Sequence, residues 1–276
     1  MRADISFFMY AALIIFLQSC QVKPAFSQKR IFPQTDIEVK VKYAALDKLF
    51  RLYVVTTNNQ VYHFDENNKE VFRFANKRIG NISDINVSNP IKIVIYNKDF
   101  GRILELDNTL AEIQEFSLTD FGFTDISAIG VSNDDGYWIY DPLRFRLIKI
   151  YANGKKSFES ANLSDFGLQS LYVTKIIENG NKVVLLDEGK RFLIFDNFGQ
   201  YLSSFVADNA RSFQFDGNNI YYFDGKDVKY ISLSTFENQI LFSFDAENTG
   251  LKDVLVSPGK TIKIYENGIQ KQINDR

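Results

Sequence analysis

Two short segments, LTDFGF at 118–123 and LSDFGL at 163–168, carry the same Asp-Phe-Gly triplet 45 positions apart. That triplet holds magnesium where a nucleotide loop, a paired lysine and a helical lobe surround it, and none of these is legible here. An Asp that starts a turn and a Gly that takes positive φ account for both copies without chemistry. Few other residues offer any. His63 is the only histidine and Cys20 the only cysteine, which excludes two-histidine metal sites, multi-cysteine zinc sites and an internal disulfide. His63 alternates with Val61 in VYHFDEN, so it belongs on a strand, and no nucleophile or orienting partner is marked beside it. Trp138, in GYWIYD, reads as a packing residue.

One set of carboxylates does recur. Small polar or acidic residues precede an apolar one at Asp36, Asp84, Asp125, Ser170, Ser212 and Asp253, in steps of 48, 41, 45, 42 and 41. Four carboxylates on one ring could hold a hard cation such as calcium, which takes six to eight oxygens. Each could equally cap its own turn through backbone amides. Arg211 and Lys252, beside the last two markers, add positive charge that opposes a cation.

The elements that position these residues are strands. Beyond residue 35 the chain runs in short β-type stretches such as FRLYVVTT, IKIVIYN and RILELDN, divided by Asn, Asp and Gly turns. Twenty-six Phe and fourteen Tyr favour strands further. Four strands and three tight turns take about 40–45 residues, the size of one propeller blade. Each marker is expected to open the innermost strand of a unit. The predicted blades are 36–78, 79–121, 122–165, 166–208, 209–247 and 248–276, the last with room for about three strands. Residues around Phe26–Phe32 are expected to add its outer strand and close the ring.

A second marker lies midway through several units, in YNKDFGRILELDNT, YDPLRFRLIKIYANG and LDEGKRFLIFDNFG, with Arg102, Arg146 and Arg191 spaced 44 and 45 apart. It resembles the NHL repeat of six-bladed β-propellers, in which Asp or Asn precedes an Arg-Ile pair and a Gly turn. The likeness covers blades two to four and fades in blades one and five. It implies an all-β, six-bladed propeller of four-stranded antiparallel blades, and little about function. Some six-bladed propellers are lactonases or other hydrolases that hold a divalent metal at the channel. That makes a metal-dependent enzyme with Asp36, Asp84, Asp125 and Asp253 as its site the alternative reading here.

In a propeller the interblade turns share one rim with the turns joining second to third strands, and that rim is the usual ligand face. The candidate binding residues there are Arg102, Asp141, Arg144, Phe145, Arg146, Asp187, Arg191 and Asp224. Arg on such a rim suits a polar or anionic partner; pairing of Arg102, Arg146 and Arg191 with neighbouring acids is the competing reading. The DPLRF loop at 141–145 is the most individual one on this face.

The first twenty residues read as an address. Arg2 is followed by an apolar run from Phe7 to Leu17, too short to span a bilayer and suited to a secretory signal. The segment LQSC at 17–20 resembles the bacterial lipobox, whose cysteine is lipidated. Residues 1–19 are then a signal peptide, Cys20 the lipid anchor and 20–35 a tether. Cleavage after Ser27 to give a secreted soluble protein is the alternative. Either places the domain outside the cytoplasm, and the lipid-anchored form belongs on the periplasmic face of the outer membrane in a Gram-negative cell.

A formal charge of −2 with no long basic run gives no reason to expect nucleic acid. The leading expectation is a non-catalytic binding module without a cofactor, anchored by lipid and engaging an envelope protein or polymer through its rim. A small-ligand sensor is a further possibility.

Overall fold

The computed structural model describes residues 36–244 and 250–273. They form six antiparallel sheets, each built in chain order from its inner to its outer strand. Blade 1 comprises β1 (Val41–Leu46), β2 (Leu52–Thr56), β3 (Val61–Phe64) and β4 (Glu70–Phe74). Blade 2 holds β5 (Asp84–Asn89), β6 (Lys92–Asn97), β7 (Arg102–Asp107) and β8 (Glu112–Ser117). Blade 3 holds β9 (Ala128–Val131), β10 (Tyr137–Asp141), β11 (Arg146–Ile150) and β12 (Lys156–Glu159). Blade 4 holds β13 (Val173–Asn179), β14 (Lys182–Asp187), β15 (Arg191–Asp196) and β16 (Tyr201–Val206). Blade 5 holds β17 (Gln214–Phe215), β18 (Asn219–Phe223), β19 (Asp227–Ser232) and β20 (Asn238–Ser243). Blade 6 has three strands among the described residues, β21 (Leu251–Ser257), β22 (Lys260–Tyr265) and β23 (Gly268–Ile273).

Burial explains the apolar runs. Second and third strands such as β2 and β7 are largely buried, whereas outer strands such as β8 and β16 are largely exposed or half-buried. A strand covered on both faces by neighbouring sheets has no polar side to alternate with. Six apolar clusters fill the seams between blades 1–2, 2–3, 3–4, 4–5, 5–6 and 6–1, which makes the fold a closed six-bladed β-propeller. The seam between blades 6 and 1 joins Leu255, Ile262 and Ile269 to Val41 and Val54. Ile37 also pairs with Ile269 on the open edge of β23, in one antiparallel bridge. The expected closing strand at Phe26–Phe32 lies outside the described residues, and so does Cys20.

Both Asp-Phe-Gly segments are turns, as their sequence suggests. Leu118–Phe121 and Leu163–Phe166 each form one 3-10 turn, ended by Gly122 at φ 78° and Gly167 at φ 72°. The capping differs from expectation. In the second copy the side chain of Asn162, not Asp165, accepts from the Ser164 amide, because the cap must precede the first helical residue.

Candidate functional site

The rim is assembled by a repeated backbone bond. In blades 2 to 5 the second-to-third strand turn accepts from the start of the segment that follows the outer strand. Leu118 donates to Gly101, Leu163 to Phe145, Ala207 to Lys190 and Phe244 to Lys226, at 2.8–3.0 Å. This fixes the turns of blades 2 to 5 against the interblade connections and presents their side chains on one side of the ring.

All eight rim residues named from sequence lie here, and each has an intramolecular role. Asp141 is fully buried and accepts from the Leu143 and Arg144 amides at 2.9 and 3.0 Å, while its second oxygen holds the Arg144 guanidinium. Phe145 sits at φ 56° with its ring against Tyr140, and Arg144 lies over the Phe123 ring. Arg146 donates to the Ser160 carbonyl at 2.7 Å and pairs with Glu159, and Arg102 pairs with Glu115 at 3.3 Å. Asp187 accepts from the Tyr172 amide and lies 3.2 Å from Arg191. Asp224 caps its own turn through the Lys226 and Asp227 amides and pairs with Lys229. The carboxylates are consumed by turn geometry, yet the guanidinium groups stay half-exposed and held in place. Sequence reasoning missed the apolar component of this rim: Phe100, Leu143 and Tyr172 are 60, 68 and 57% exposed, and Phe166 of the Leu163–Phe166 turn is exposed as well. Their positions fall in turns, where a large exposed apolar side chain has no periodicity to reveal it.

The six channel markers do not form one ring of ligands. Asp84 opens β5 and Asp253 lies in β21, both on inner strands. Asp125 and Ser170 instead occupy left-handed turn positions at φ 59° and 51°, ahead of their strands. Asp36 is exposed and accepts from the Lys271 amide at 2.7 Å, which fastens it to the outer edge of blade 6 rather than to β1. Among the described residues no group of three or more His, Cys, Asp or Glu side chains is placed to hold a metal. The residue that sequence reasoning missed is Lys175 on β13. Its Nζ lies 3.0 Å from Asp84, 91 positions away, so the pair spans the channel from blade 4 to blade 2. Asp253 accepts from Ser212 and from the Val254 amide.

Burial pushes the Asp84 carboxyl up from its ordinary value against the pull of Lys175, and pushes the Asp253 carboxyl up against the Ser212 hydrogen bond. A carboxyl whose folded pKa exceeds its unfolded value costs stability at neutral pH, and that cost disappears as pH falls through the folded value. Asp253→Asn is therefore expected to raise the melting temperature at pH 7. The gain should shrink as the pH is lowered toward about 4, because the raised carboxyl takes up its proton before an ordinary Asp does. Thermal melts of the two proteins at both pH values check this; an equal difference at both would contradict it.

His63 is buried on β3, stacked on Tyr53 with ring centroids 4.5 Å apart and flanked by Phe72. Desolvation lowers its pKa, with the Arg51 charge adding to the effect. Such a neutral, stacked imidazole is a core residue. Trp138 is likewise buried, in the seam between blades 3 and 4, where it donates to the Glu178 carboxylate.

The channel itself contains a cavity of about 650 Å³. Its walls come from the inner strands of blades 1, 2, 4, 5 and 6, through residues such as Ala44, Ile85, Ile177, Gln214 and Leu255. Blade 3 contributes nothing to it, because β13 packs directly on β9. Gly130 allows that approach: a Cβ there would stand 2.8 Å from the Ile176 carbonyl oxygen. The channel is thereby displaced away from blade 3.

No family model matches the chain, and no curated protein matches it. Solved structures do. A streptogramin B lyase structure aligns with a TM-score of 0.56 at 13% identity, over 89% of this chain and 86% of that one. Virginiamycin B lyase from Staphylococcus aureus gives the same TM-score and identity, over 89% and 83%. The Pan2 WD40 domain of Neurospora crassa gives 0.54 at 9% identity, over 86% and 80%. The likeness is one of fold. These propellers include lyases and a WD40 domain, so the shared architecture leaves function to the particular side chains of this chain.

Proposed function

We propose that this propeller is a non-catalytic binding module, anchored through a lipid on Cys20 at the envelope and taking a protein partner on its rim. The observation that carries the reading is the composition of the rim over blades 2 to 4. Exposed Phe100, Leu143, Phe166 and Tyr172 are interleaved with half-exposed Arg102, Arg144, Arg146 and Arg191, whose own acids hold them in position. Large apolar side chains and ordered guanidinium groups are the residues that dominate protein interfaces. Pre-positioning reduces the ordering cost of binding. The carboxylates that an enzyme would need as acid, base or metal ligand are engaged by turn amides and by Arg or Lys.

The test is crosslinking in native membranes, with capture through a C-terminal tag and partners read by mass spectrometry. One envelope protein should be recovered in near-stoichiometric amount and lost from a Cys20→Ala strain. Leu143→Asp with Tyr172→Ala should weaken its capture by about thirtyfold, the effect of removing one hot spot of about 2 kcal/mol. The melting temperature should stay unchanged, since both side chains are exposed. An unchanged partner list in that variant would overturn the reading.

A further inference from the structure

The channel cavity opens away from the rim. Antiparallel strands place the turns between first and second strands at the opposite end from those between second and third. Exposed Lys48, Phe50 and Pro258, all in or beside such turns of blades 1 and 6, line the cavity at that end. Lys175 and Ser212 line its other end, where the Lys175–Asp84 pair crosses the channel.

The mouth is built rather than loose. Asp47, buried, accepts from the Leu49 and Arg51 amides at 2.8 and 2.9 Å and from Arg51 Nε at 2.6 Å. Arg51 in turn donates to the Pro90 carbonyl of the adjacent blade, which clips the two turns together. The tight turn leaves Phe50 at φ 60°, a conformation that costs a non-glycine residue energy, and it sets the ring at the opening. Blade 5 adds space because its inner strand β17 has only two residues. Gln214 spans the resulting gap, bonding both the amide and the carbonyl of Val256 in blade 6.

The walls are mainly apolar, with Ala44, Ile85, Val87, Ile177, Phe213 and Leu255 among them. The ionised groups deep in the cavity are already compensated: Lys175 by Asp84, Glu178 by the Trp138 indole and the Asn133 amide, and Asp47 by Arg51, whereas Lys48 and Asp216 lie exposed to water at the mouth. A charged ligand group would lose its water there without gaining a counter-charge. One polar group remains available. The Asn86 side-chain oxygen accepts from the Ser88 amide and hydroxyl, while its NH₂ has no acceptor among the described residues, although the residue is 94% buried (6% exposed) and lines the cavity.

We infer that the channel is a binding site for an uncharged, mainly apolar small molecule that enters past Phe50 and accepts one hydrogen bond from Asn86. A volume of about 650 Å³ falls within the range of small-molecule sites. The site is independent of the rim, so either assignment can fail without the other.

The probe is prodan, an uncharged naphthalene whose ketone can accept from Asn86 and whose emission moves to the blue in apolar surroundings. Titrated into the intact chain, it should show a saturable blue shift with one molecule per chain. Ser88→Trp, which fills the cavity near the mouth, and Ala44→Phe, which fills its wall, should each weaken binding by about tenfold or more, and Asn86→Leu by about fivefold. Leu143→Asp on the rim should change nothing. The assignment is overturned by the absence of a saturable shift, by a stoichiometry above one, or by wild-type binding in a cavity variant that retains its melting temperature. It is equally overturned if the anionic naphthalene sulfonate 1-anilinonaphthalene-8-sulfonate binds more tightly than prodan.

Discussion

Replacing Gly130 by valine is expected to cost about 3 kcal/mol, the upper end of the usual cost of overpacking a core. The reason lies in a single contact. A Cβ at Gly130 would stand 2.8 Å from the Ile176 carbonyl oxygen and 2.8–2.9 Å from its side chain. The oxygen belongs to the backbone of β13 and cannot swing aside as a side chain could. To admit the new methyl groups, β13 must part from β9, and the apolar seam between blades 3 and 4 opens with it. Moving β13 also strains the Lys175–Asp84 pair, since Lys175 is the neighbour of Ile176. Chemical denaturation of Gly130→Val and Gly130→Ala against wild type checks this. The alanine variant should fall between, because one carbon demands a smaller displacement. Wild-type stability in the valine variant would mean that the strands do not approach as closely as they do here. The channel is expected to respond too, as β13 forms one of its walls.

Truncation of Trp138 to alanine should be costlier still, at about 5 kcal/mol. Removing a buried Trp loses about 3–5 kcal/mol through transfer and cavity effects. The remainder comes from Glu178, a buried carboxylate that accepts the indole N–H and would be left with the Asn133 amide at 3.3 Å. The Lys149 ammonium stands 5.3 Å from the same ring and pairs with Asp134 at 2.7 Å, so the deletion removes a cation–π partner as well. The melting temperature should drop by more than about 10 °C in a domain of this size. Trp138→Phe separates the contributions: it retains much of the volume and loses only the donor, so it should cost about half as much. Equal losses for the two variants would show that the hydrogen bond, not the packing, dominates the seam. Tyr137 performs the matching role toward blade 2, where its hydroxyl donates to Glu105. Consecutive residues of β10 thus point to opposite seams, and blade 3 is tied to both neighbours by one aromatic donor and one carboxylate each.

The architecture was legible because it is periodic. Six markers at near-constant steps fixed the number of blades, and Asn, Asp and Gly turns between apolar runs fixed the strands within them. The two Asp-Phe-Gly turns, the strand position of His63 and the packing role of Trp138 followed from local pattern alone. These are properties of neighbouring residues, and the backbone near each one suffices to determine them.

The marker carboxylates show where that ends. Asp84 and Asp125 look alike in SDI and TDI, yet one begins an inner strand beside Lys175 and the other is exposed in a left-handed turn. The difference comes from how far each inner strand extends toward the interblade turn, which neighbouring blades decide. The pairs Lys175–Asp84, Trp138–Glu178 and Gly130–Ile176 join residues 91, 40 and 46 positions apart, from different blades, and no spacing rule links them. By itself the sequence determined six stacked sheets and their turns. Tertiary structure alone decided that β13 closes on β9, that the channel is displaced from blade 3, and that its cavity opens opposite the rim. Strand and turn formation is set by local backbone preference, whereas the offset between stacked sheets is set by side chains that meet only once the ring has closed.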